Sequence, residues 1–191
     1  MLSPILHRLG LGVAFLAIAV PCLADPATSS THEMLRGFRA DYLMELDRIE
    51  IRMLLLARDL PEETYSASAG SEDHTLALCL TDSVAASRRT LISMHLLKTG
   101  SDEIRPTEKN TIVDELAESL AEVRRGIETT SDEALDLPVD YQGRRWTTRA
   151  LFLAILTRHA EGLGHASAHA DALGHPPPWV REKRSSDLHD D

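Results

Sequence analysis

Four of the nine histidines in this chain of 191 residues fall on or just behind one stretch, residues 147–179 (TTRALFLAILTRHAEGLGHASAHADALGHPPPW). They are His159, His165, His169 and His175. His165 and His169 stand four apart, so on a helix their imidazoles share one face. Two such nitrogens and a third from a neighbouring helix would hold a divalent metal with one position left for water. Other chemistries find less support. Cys79 has no basic neighbour in sequence to lower its pKa and reads as a small core residue. Serine, histidine and aspartate are present without a nucleophile-elbow pattern, and there is no phosphate-cradling glycine loop and no Cys-x-x-Cys.

The elements that must position these residues read as helices. Ser30 with Glu33 makes a capping box, and Leu35, Phe38, Tyr42, Leu46, Ile49, Met53, Leu56 and Leu60 follow at three- and four-residue steps until Pro61. Ser71 with Glu72 and Asp73 offers a start for a second helix carrying Leu76, Cys79, Leu80, Val84, Leu91 and Met94, with Gly100 as its stop. Thr107 or Thr111 caps a third, with Ile112, Leu116, Leu120, Val123 and Ile127 on one face and Glu115, Glu118, Glu122 and Arg125 on the other. Residues 131–146 read as a turn, an extended piece and a reversal at Gly143. The fourth helix starts at Thr147 or Thr148, stops at Gly174, and is bounded by Trp146 and Trp179, which are expected to seal its ends. Four amphipathic helices that cannot bury their stripes alone give an all-α fold, a four-helix bundle.

Composition sets the frame. His7 and Arg8 precede an uncharged run from Leu9 to Ala24, and Cys22-Leu23-Ala24 has the small residues a signal peptidase reads. Residues 1–24 are therefore expected to be a signal peptide cleaved after Ala24, giving an exported, periplasmic or extracellular protein with no stable membrane insertion after cleavage. Residues 25–30 are expected to be a flexible N-terminus, 31–179 the bundle, and 180–191 a disordered charged tail. Cleavage removes Arg8 and no acid, leaving 19 of the 20 Lys and Arg against 30 Asp and Glu. Basic residues scattered among acids argue against a nucleic-acid surface. Cys79 is left without an intrachain disulfide partner. Apolar residues around more than one side of helices one and four leave a homodimer open.

The order and spacing of GFRADYL, LPEETYS, ETTSDEALDLPV, GRRWTTRALFLAIL and LGHASAHADALGHPPPW across residues 36–179 resemble the DinB-like superfamily. The resemblance implies a bundle running up, down, down, up, and in many members zinc or nickel on three histidines. One of these lies seven residues after a Ser or Thr near the start of the second helix. The other two form a His-x-x-x-His pair just before Leu-Gly on the fourth. Carried over residue by residue, those positions are Asp82, counted from Thr75, and Arg158 and Gly162, placed by Leu163-Gly164. Arginine is a permanent cation and glycine has no side chain, so the family metal site reads as lost.

Two expectations follow for the site. Asp82 and Arg158 would face each other across the bundle axis as a charge-assisted pair in place of the metal, the bland alternative being that each is exposed on its own helix. Alternatively the metal is shifted to His74, His165 and His169, against the plainer reading of solvated or capping histidines. His159, next to Arg158, is expected to point away from the interior, and neither it nor His175 is given a role. The leading reading is a binding or structural module with no cofactor and an unknown ligand. The other is a divalent-metal enzyme similar to the family's thiol-dependent transferases and isomerases.

Overall fold

A computed structural model describes the backbone of residues 26–68, 75–98 and 108–187, and side chains from residue 37 to 182 within those ranges. The leader, the proposed Ser71 cap, His74 and Gly100 lie outside the described residues. Four long helices make up the body: α1 Pro26–Asp59, α2 Leu76–Ser93, α3 Lys109–Thr129 and α5 Thr148–Ala172. A short α4, Asp132–Leu135, and an antiparallel hairpin, β1 Pro138–Tyr141 and β2 Arg144–Thr147, join α3 to α5, and α6 Pro178–Asp187 follows. The fold is mostly helical.

Each long helix lies against two others: α1 and α2 each touch both α3 and α5. The apolar stripes read from the sequence form the shared core. Leu46, Met53 and Leu56 of α1 meet Leu80 and Leu91 of α2, Leu116 and Leu120 of α3, and Phe152 of α5 in one buried cluster. Each such side chain stabilises the fold by about 2 kcal/mol. The rows of contact are set by named pairs. Arg39 of α1 donates to the carbonyls of Ile127 and Thr130, while Lys109 Nζ donates to the carbonyls of Arg58 and Leu60. On the other side of α1, Tyr42 meets Phe152 edge-on at 5.6 Å, and Arg149 lies over the Phe38 ring. Arg39 also covers the C-terminal end of α3, where free carbonyls and the helix dipole favour a cation.

Several boundaries differ from the sequence reading. Helix α1 begins at Pro26, so Ser30 lies inside it and residues 26–30 are helical rather than a flexible lead. Proline is favoured in a first turn, since its missing N–H would have had no partner. Thr75 is the N-cap of α2, its hydroxyl accepting from Leu78 N at 3.2 Å. That helix stops at Ser93, well before Gly100, because His95 takes a left-handed conformation at φ 58°. Two bonds close the end, His95 N to Ile92 O and Leu96 N to Leu91 O. Helix α3 starts at Lys109, leaving Thr111 in its interior. The reversal in 131–146 is the Gln142-Gly143 turn of a hairpin, both residues at positive φ. Ser131 caps α4 through a bond from Ala134 N. Thr147 caps α5 through one from Ala150 N, and Gly174, at φ 83°, ends it as expected. The expected disordered tail is instead helical in α6 as far as Asp187, held to α1 by Arg181 on Asp59 and by Arg52 over the Trp179 ring.

Candidate functional site

The three positions that replace the implied ligands do come together. Asp82, from the middle of α2, and Arg158 and Gly162, one turn apart on α5, border a cavity of about 360 Å³ between the two helices, with Cys79, Ser83 and His165 beside them. Gly162 makes the close approach possible. A Cβ there would stand 3.3 Å from Cys79 O and 3.4 Å from Ser83 Cβ. Cys79 is partly buried, and burial first, then the Asp82 charge, push its thiol pKa up. A thiol held protonated is a poor nucleophile.

The expected Asp82–Arg158 pair does not form. Both side chains are exposed, and Arg158 reaches along its own helix to Glu161 at 3.3 Å. The groove lies at the outer edge of the α2–α5 seam, where water solvates each charge and nothing forces them together. The residue facing inward is His159, the one expected to point away. It is fully buried, and its Nε2 lies 2.9 Å from Ser87 Oγ of α2. Ser87 Oγ also lies 2.8 Å from Ser83 O, which takes the hydroxyl proton, so the neutral imidazole carries its proton on Nε2. His159 Nδ1 then remains a buried acceptor with no partner among the described residues. Burial lowers the His159 pKa to about 4. Its inward position was legible in the spacing. Phe152, Ile155, His159, Gly162 and Ala166 follow one helical stripe, all buried. The expectation that Arg158 faces inward came from the family pair placed on Leu163-Gly164; the next residue, about 100° around the helix, is the one that is buried.

A second inward charge also escaped the sequence reading. Arg88 is 5% exposed, with Nη1 2.6 Å from Glu115 Oε2 and Nε 3.0 Å from Glu122 Oε2 on α3. It lies on the line from Val84 to Leu91, and the acids that were expected to form the outer face of α3 supply its partners. Burial acts to lower its pKa, the two carboxylate bonds act against burial, and the net direction is upward.

Of the shifted histidines, His165 borders the groove and is exposed. His169 is buried, with Nε2 3.0 Å from Ala67 O, so that nitrogen serves as a donor to the backbone. Among the described residues, no three His, Cys, Asp or Glu side chains are grouped so that they could hold a metal ion. Trp146 and Trp179 pack against the core from either end of α5. Among the described residues no helix is long and apolar enough to cross a membrane.

Among solved structures, this chain is similar to the crystal structure of a DinB-like protein from Bacillus cereus, with a TM-score of 0.63 over 75% of this chain and 95% of that one. The fold is DinB-like. Sequence identity across the match is 19%, so the likeness carries the fold alone. No family model matches the sequence, and no curated protein matches it. In this chain the groove between α2 and α5 is lined at positions 82, 158 and 162 by a carboxylate, a guanidinium and a bare backbone.

Proposed function

We propose that this protein is an exported binding module on a DinB-like bundle, whose α2–α5 groove has given up the three-histidine metal site. One observation supports the reading: Arg158 and Gly162, the positions to which the resemblance carries two of the three imidazoles, both border the groove. A guanidinium repels a divalent ion, and a glycine offers it no donor. Asp82 is the one metal-binding side chain left at those three positions, and the raised Cys79 pKa works against a thiolate ligand beside it. The helix order up, down, down, up is part of the same proposal. It is supported by Arg39 on residues 127–130 with Lys109 on Arg58, by Ser87 on His159 with Ser83 beside Gly162, and by Tyr42 on Phe152 with Phe38 under Arg149.

The competing reading is a metal-dependent transferase or isomerase using His74, His165 and His169. It requires His169 to give up Ala67 O or to coordinate through Nδ1. Elemental analysis after equilibration with zinc and nickel separates the two. The binding-module reading expects no stoichiometric metal in the wild type. A bound ion released by His165→Ala would overturn it. Self-association is a separate matter, and Met44, Ile51 and Leu55, exposed on one face of α1, are the surface on which it would be built. Light scattering on the wild type and on Ile51→Glu tests that.

A further inference from the structure

A second cavity, of about 200 Å³, opens where the hairpin crosses the α2–α5 seam, with Arg158 standing between it and the groove. Its charge is unusual for a chain of net charge −10. Arg89 of α2 and Arg158 of α5 line it, and no carboxylate does. A third arginine is set at its edge by strand register. Tyr141 pairs with Arg144 and Val139 with Trp146, so these four side chains share one face of the hairpin. Tyr141 and Trp146 line the cavity, which puts Arg144 on the same side. Neither Arg89 nor Arg144 has an ion-pair partner among the described residues, and Arg158 has the exposed Glu161. Like charges gathered without counter-charges repel, and an anion between them relieves that repulsion.

The interior of the cavity has a different character. Leu151 and Ile155, both buried, form its floor, and the Trp146 and Tyr141 rings stand at its wall. Trp146 Nε1 is buried with no acceptor among the described residues, a donor left unused. Tyr141 Oη and Thr90 Oγ1 lie 3.1 Å apart, which fixes the ring against α2. An apolar floor, an aromatic wall and a rim of guanidinium groups match a flat apolar body carrying one oxyanion.

We propose that this cavity binds a small aromatic carboxylate, its carboxylate between Arg89 and Arg158 and its ring against Trp146 and Ile155. The site shares Arg158 with the positions carried over for the implied metal, and its test leaves that residue and Asp82 and Gly162 unchanged. The probe is phenylacetate, titrated into the full-length protein and followed by calorimetry and by tryptophan fluorescence in a Trp179→Phe background, where Trp146 is the reporter. The expected result is saturable binding with a change in Trp146 emission. Arg89→Gln, at an exposed position, should weaken it by about 10-fold, the loss of one charge-assisted bond, and Arg125→Gln on α3 should not. Phenylacetamide, neutral and of the same shape, should bind at least about 10-fold more weakly. Absence of saturable binding at millimolar phenylacetate overturns the proposal. So does equal affinity for the amide, or an Arg89→Gln variant that binds as well as the wild type. Inorganic phosphate binding as tightly as phenylacetate also overturns it, by leaving the apolar floor without a part.

Discussion

His159 Nε2 stands 2.9 Å from Ser87 Oγ, and this contact, rather than one between Asp82 and Arg158, is the polar joint between α5 and α2 inside the bundle. An imidazole buried this completely is held neutral, with a pKa near 4 against the usual 6.5. The unfolded chain therefore binds a proton that the folded one refuses, and stability falls as pH drops from about 6.5 toward 4. Between pH 7 and 5 the loss from this one group should be about 2 kcal/mol. Urea denaturation across that range, compared with His159→Leu, measures it. The leucine variant should keep its stability to pH 5, and a slope identical to wild type would show that another group titrates.

Arg88 joins α2 to α3 through Glu115 and Glu122, with the guanidinium almost wholly buried and the two carboxylates partly so. Arg88→Met should destabilise by about 3 kcal/mol, because two acids are then left partly buried without a cation. Glu118→Gln should cost less than about 0.5 kcal/mol, since its carboxylate is 63% exposed and 3.5 Å away. Chemical denaturation of both variants gives the contrast. Equal losses would mean that the Arg88 network is no stronger than a surface pair.

Two glycines on α5 should respond in opposite directions to the same change. Gly164→Ala meets nothing within 4 Å and should stabilise by up to about 1 kcal/mol through helix propensity. Gly162→Ala brings a methyl to 3.3 Å from the Cys79 carbonyl, which is backbone and cannot step aside. The strain should outweigh the propensity gain and leave a net loss of about 1 kcal/mol. Thermal unfolding of the pair decides whether Gly162 sets the spacing of α2 and α5.

Arg39 ties α1 to the end of α3, with Nη2 2.6 Å from Thr130 O and 2.8 Å from Asp132. Arg39→Met should free the last turn of α3 and cost about 1–2 kcal/mol. Hydrogen exchange should show the loss of protection concentrated at Ile127–Thr130. A uniform rise across the bundle would argue against a capping role.

The sequence by itself determined the helical class, because period-3.6 stripes such as Leu116–Leu120–Val123 and Leu46–Ile49–Met53 have no other way to become buried together. It also determined the caps that depend on one residue and its neighbours, Thr147 before α5 and Gly174 after it. Part of the groove lining was reached from the sequence through the family resemblance, which pointed to positions 82, 158 and 162, and all three border it. Which way the α5 residues face was signalled by the Phe152–Ile155–His159 stripe, and only tertiary structure supplied the partners that fix it. A helix rotated by one residue exchanges Arg158 for His159, and the choice rests on α2: Ser87 offers His159 a hydrogen-bond partner inside the bundle, whereas Arg158 keeps its charge in water beside Glu161. The end of α2 at Ser93 likewise depends on Leu91 and Leu96 packing over Gly126 of α3, a partner 30 residues away that no local pattern announces. Pairing between helices, unlike the stripe on each one, is a property of the assembled bundle.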